Sequence, residues 1–176
     1  MEAPDVADLL TLDAESASAL VQEMRPEGTQ IVCAIELLLL LTVLAKAPSE
    51  GNEYDLKCAL CFDICDFSCT ERATADEVHN LLFWLIHALG VLLGKPITRD
   101  TLAVDHAVVP LVAAAYRFAK TRSLHHLQKE QFIAWAGKTL GSRNNGTAIT
   151  LDMVFATLMP KVTPSLSLPF LTFTAS

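Results

Sequence analysis

Nowhere in the 176 residues do lysine and arginine gather into a run, and that scarcity excludes one large class of function. The 13 basic residues are outnumbered by 20 acidic ones, for a formal net charge of -7. Binding a nucleic-acid backbone needs a basic face, so nucleic acid is not expected as a partner. A long apolar span is missing too. A membrane-crossing helix needs roughly 20 apolar residues, whereas the two greasiest stretches, 31–45 and 81–94, are shorter and carry Glu36 and His87. Both read as buried helices, and no membrane partner is expected. Met1-Glu2-Ala3-Pro4-Asp5 holds no basic segment ahead of an apolar one, so no leader is read and the expected location is cytoplasmic. Gly-x-Ser-x-Gly, Walker and His-Glu-x-x-His patterns are all lacking, and the chain is read as a non-enzyme.

What the chain has in abundance is apolar side chains, 52% against 19% charged, with a mean hydropathy of +0.38. Either the core is large or some apolar surface is covered by a partner. Apolar periodicity predicts helices over 9–24, 33–46, 54–65, 75–93, 105–120, 129–140 and 151–158. Thr74 with Glu77 three residues later spells a capping box, and Thr98 is the expected cap of the helix after Gly94-Lys95-Pro96. Pro110 is expected near the first turns of its helix, as a start or a kink. The tail from Pro160 reads as extended, with Leu166, Leu168, Phe170, Leu171 and Phe173 favouring docking over solvation. The expected segments are 1–53 with the first helices, 54–141 as a central pair of helix-loop-helix units, and 142–176 as a short helix and tail.

The stretch from Cys61 to Leu82 carries the most information. Counted from Asp66, the residues Asp66, Ser68, Thr70, Thr74 and Glu77 occupy the first, third, fifth, ninth and twelfth places of a calcium-binding helix-loop-helix loop. The sixth place, where glycine accepts a positive φ without strain, is Glu71. The eighth, usually a β-branched residue that pairs with the neighbouring loop, is Ala73. With Leu127 at its eighth place, a second loop would begin at Lys120 and close at Gln131. Lys120 and Arg122 then fall where carboxylate ligands belong and would repel a cation. A fainter repeat begins at Arg25, with Val32 eighth and Glu36 twelfth. On these residues the chain resembles the EF-hand superfamily, in particular calmodulin and the calcineurin B and neuronal calcium sensor branch. It is also similar to degenerate EF-hand proteins of cilia and flagella. The resemblance implies an all-α fold of paired helix-loop-helix units that binds helices of other proteins, without catalysis. By analogy it suggests a cytoskeletal or axonemal, microtubule-associated assembly as the partner.

Four groups of residues are candidates for chemistry. If calcium binds, its ligands are Asp66, Ser68, Thr70 and Glu77, but the low ligand charge and the missing glycine favour capping by Thr74 and Glu77, and no cofactor is expected. A weak calcium sensor built on this loop is the alternative function. Cys58, Cys61 and Cys65 lie along one helix face, a core stripe rather than a convergent zinc or iron-sulfur site, with Cys69 just beyond. The adjacent His125 and His126 do not face a common site and read as a solvated loop. Phe83, Trp84 and Val91 lie outside the main apolar stripe of their helix. They are the candidate partner-binding residues, against the simpler reading of burial within the fold.

Overall fold

Thr74 marks where the central helix begins, and the bonds there show why. Its Oγ1 accepts from the Glu77 N–H at 3.3 Å, and the Glu77 carboxylate accepts from the Thr74 N–H at 2.7 Å. This reciprocal cap satisfies two donors that a helix start would otherwise leave open. The computed structural model describes residues 2–10, 13–24, 33–45, 53–94, 101–120, 126–141 and 151–159. In chain order they form α1 (Ala3–Leu10), α2 (Ala14–Met24), α3 (Ala34–Leu44), α4 (Glu53–Cys65), β1 (Arg72–Ala73), α5 (Ala75–Leu92), α6 (Thr101–Phe118), β2 (Leu127–Gln128), α7 (Lys129–Ala136) and α8 (Leu151–Leu158). Apart from the two short strands, the architecture is all-α.

Helix α5 is the hub, touching α2, α3, α4, α6, α8 and β1. It buries Val78, Leu81, Leu82, Leu85, Ile86, Ala88 and Leu89, more of its circumference than a single stripe, as expected for a helix enclosed by neighbours. Helices α4, α5, α6 and α7 form the central array, with α4 against α5 and α7, and α6 against α5 and α7. The α3 sequence AIELLLLLTVL packs on α4 and α5, and α8 lies against α5 and α6. Phe62, Phe132 and Trp135 meet at ring separations of 5.5 and 5.7 Å, joining α4 to α7.

The strands form one antiparallel ladder in which Ala73 stands opposite Leu127 and Arg72 opposite Gln128. These are the two residues that the sequence numbering sets at the eighth place of their loops. The Lys129 N–H adds a bond to the Glu71 carbonyl at 3.1 Å, and the buried Tyr116 hydroxyl donates to the Ala73 carbonyl at 3.0 Å. Helices α4 and α7 are also joined at both ends, by the Lys129–Asp63 ion pair at 2.6 Å and by the Tyr54 hydroxyl on the Ala136 carbonyl at 3.0 Å.

Several expectations are corrected. The helix expected over 9–24 is two helices, because Asp13 caps α2: its carboxylate accepts from the Ser16 N–H at 2.8 Å. Helix α6 starts four residues earlier than expected, at Thr101, which places Pro110 in its interior rather than in its first turns. There a proline removes one helical donor, and the packing of Val104, Val108 and Val112 holds the helix across the gap. Helix α7 ends at Ala136 and continues as a π turn over Gly137–Gly141. The cap at Thr98, the residues 25–32 of the faint first repeat, and the tail from Pro160 lie outside the described residues.

Candidate protein-binding surface

The loop after α4 gathers the oxygen atoms at its ligand places and spends them on one another. The Ser68 hydroxyl donates to Asp66 Oδ1 at 2.8 Å and lies 2.8 Å from Thr70 Oγ1, which itself bonds the Arg72 carbonyl at 3.4 Å. Asp66 Oδ2 accepts the Glu71 N–H at 2.7 Å. Burial alone would raise the Asp66 pKa, but the hydroxyl of Ser68 and the N–H groups of Thr70, Glu71 and Ser68 outweigh it and hold the carboxyl below its ordinary value. Cys69 and Glu71 sit at φ values of 52° and 58°, so the left-handed turn is kept at the sixth place without glycine, at a cost of about 1–2 kcal/mol. The Glu77 carboxylate bonds both the N–H and the hydroxyl of Thr74. The ligand places thus supply two carboxylates, one of them engaged in a cap, and two hydroxyls 2.8 Å apart. Among the described residues no three His, Cys, Asp or Glu side chains gather as a metal site.

The remaining candidates separate by burial. Cys61 and Cys65 are buried and Cys58 half-buried along α4, while Cys69 is exposed in the loop. Burial pushes the Cys58 thiol up to about 11 and those of Cys61 and Cys65 to about 12, so none is a ready thiolate. His126 is exposed and His125 lies outside the described residues. No helix among the described residues is long and apolar enough to cross a membrane.

Phe83, Trp84 and Val91 are each half-buried and pack against the core, so they form the edge of the α5 surface rather than a free ridge. Phe83 is the centre of an aromatic row along α5. Its ring lies 6.3 Å from His79 in a stacked arrangement, 5.2 Å from Trp84 edge-on and 4.6 Å from His87. His87 is buried, its Nε2 has no hydrogen-bond partner among the described residues, and burial holds its imidazole below the ordinary value. His79 turns the other way and meets Asp105 of α6 at 2.8 Å. Beyond that contact the two helices part to leave a groove of about 230 Å³ lined by Ala75, Asp76, His79, Val109, Val112 and Ala113.

This groove was not anticipated from sequence. Its α5 side has a legible signal, since Asp76, His79 and Phe83 recur at helical spacing. Its α6 side could not be placed, because nothing local says which face of α6 turns toward α5. No protein-family model matches the chain, and neither a curated protein nor a solved structure shows significant similarity to it.

Proposed function

We propose that this chain is a non-catalytic adaptor or structural subunit of the EF-hand-like class, built from paired helix-loop-helix units, that binds partner helices constitutively within a cytoskeletal or axonemal assembly. The observation that carries this reading is the loop from Asp66 to Glu77. Its ligand-place oxygens are committed to hydrogen bonds with one another and with the backbone, so its shape is held without an ion. A loop fixed in this way supports permanent attachment rather than a switch. The aromatic row at Phe83 and Trp84, with Val91 two turns on, supplies the kind of side chains that anchor protein interfaces. The cytoskeletal location rests on the resemblance to degenerate EF-hand proteins of cilia and flagella.

The test is recovery of tagged protein from its native cells in calcium or in chelator, read by mass spectrometry. The same large assembly in both conditions is the expected result, and partners that appear only with calcium would overturn the reading. A weak calcium sensor is the second reading, favoured by the clustering of the Asp66, Ser68 and Thr70 oxygens at 2.8 Å spacings. That reading requires calcium to change the fluorescence of Trp84 or Trp135. An unchanged spectrum at millimolar calcium removes it.

A further inference from the structure

The groove between α5 and α6 has three properties that together select a kind of partner. Its walls are Ala75, Val109, Val112 and Ala113, so this part of the lining is apolar, and Val109 stands 56% exposed at its edge. Its rim carries an exposed carboxylate, Asp76 in the first turn of α5, while among the described lining residues the one basic side chain, His79, is engaged with Asp105 and none is lysine or arginine. Finally, it is continuous with the aromatic row, because His79 closes one end of the groove through Asp105 and stacks its ring against Phe83.

We propose that this groove docks an amphipathic helix of a protein partner, with a large aliphatic side chain seated against Val109, Val112 and Ala113 and a lysine or arginine one helical turn away facing Asp76. The spacing follows from helix geometry: residues three or four apart share a face, so an apolar anchor and a cation at that separation reach the groove floor and its acidic rim together. An anionic partner helix meets Asp76 unfavourably, which makes the carboxylate a selector of partners as well as a contact. The assignment rests on the adaptor reading and names the chemistry of the partner at a surface distinct from the loop.

The experiment uses the full-length protein and two fluorescein-labelled helical peptides with the same leucine stripe, one flanked by lysines and the other by glutamates, read by anisotropy. The lysine peptide is expected to bind and the glutamate peptide to bind about tenfold more weakly, the size of exchanging one exposed attraction for a repulsion. Asp76→Lys should invert that order and Val109→Glu should abolish both, with circular dichroism reporting that each variant keeps its helices. Ala113→Phe, which fills the groove without adding charge, should weaken both peptides alike. Equal affinities, a preference for the glutamate peptide, or lysine-peptide binding that survives Val109→Glu would overturn the proposal. So would no binding of either peptide at millimolar concentration, which would mean that the groove is closed or filled by the chain itself. A concentration-dependent dimer in sedimentation, lost in Val109→Glu, would assign the groove to a second copy and overturn it too. The adaptor reading is read separately: if Val109→Glu still recovers the native assembly independently of calcium, that reading stands and only the groove assignment falls.

Discussion

Asp66 and Glu36 are both nearly closed to solvent, at 5% and 4% exposure, yet their carboxyl groups are pushed in opposite directions. Asp66 is enclosed by its own loop, where hydroxyl and amide donors favour the charged form over the cost of burial. Glu36 sits on α3 amid leucines, and burial alone raises it to about 7. His87 on α5 shares that setting with Glu36: burial disfavours its charged form, and its Nε2 finds no partner among the described residues. The contrast combines depth with donors: Asp66 is covered only by its own shallow loop, which is rich in donors, whereas Glu36 lies deep on α3, where burial is the sole cause of its shift.

Asp66 and Glu36 should therefore answer pH with opposite signs, with His87 in the same sense as Asp66, and substitutions can pull the responses apart. The largest effect is expected from Glu36→Gln. Glu36 is raised in the folded state from 4.5 to about 7, so the folded protein binds its proton more tightly, and stability falls as pH rises across that window. The total is about 3 kcal/mol, so Glu36→Gln should gain up to that at pH 8 and little at pH 4. Urea melts at the two pH values check this, and equal gains at both would break the comparison. Asp66→Asn should act in the opposite sense and cost about 2 kcal/mol at pH 7 by removing charge-assisted bonds. The Asp66 contribution is present above its unfolded value near 3.8 and is lost as pH falls through its lower folded value, so wild type and variant should converge in acid. Parallel acid titrations would show otherwise if the loop did not depend on this carboxylate.

His87→Leu is expected to stabilise by about 1–2 kcal/mol by removing an unpartnered buried nitrogen. Because the folded protein holds His87 below its ordinary 6.5, that gain should grow as pH falls through this value; a gain independent of pH would separate His87 from Glu36. The smallest effect is Glu71→Gly, which relieves the left-handed backbone at φ 58° but adds chain entropy, for a net gain of about 0.5–1 kcal/mol. Thermal melts decide it, and a loss of stability would mean that Glu71 contributes more than its backbone geometry suggests.

How much of this was readable in the chain depends on how local the determining interaction is. The Thr74–Glu77 cap and the span of α8 follow from residues within a few positions of each other, and they agree with the structure. The loop numbering put Ala73 and Leu127 at equivalent places, and they face each other in the ladder. The split at Asp13 was missed because the apolar rhythm runs through it, although an aspartate three residues before a serine carries a capping signal. Pro110 was misplaced because tertiary packing overrides its cost, and the π turn after Ala136 has no local signature. Glu36 shows the limit most clearly. Its position at a twelfth place suggests a remnant ligand, but its burial and altered acidity arise from packing across α3, α4 and α5, which no window of sequence contains. Of the candidate surface, the aromatic side chains of α5 were visible in advance, and the groove they lead into was not.

The doubled attachment between α4 and α7 differs in kind from that between α5 and α6. Asp63–Lys129 fastens them at one end and Tyr54 on Ala136 at the other, so this pair is an edge riveted at two points. Along α5 and α6 the Tyr116–Ala73 bond and the His79–Asp105 contact are the fasteners, the first beside the ladder and the second about one turn into α5. Helices α5 and α6 are consecutive in the chain, so the backbone between Leu92 and Thr101 ties their far ends while these two bonds hold them nearer the ladder. One pair of the central array is thus joined end to end by side chains alone, and the other by side chains at one end and the chain itself at the other.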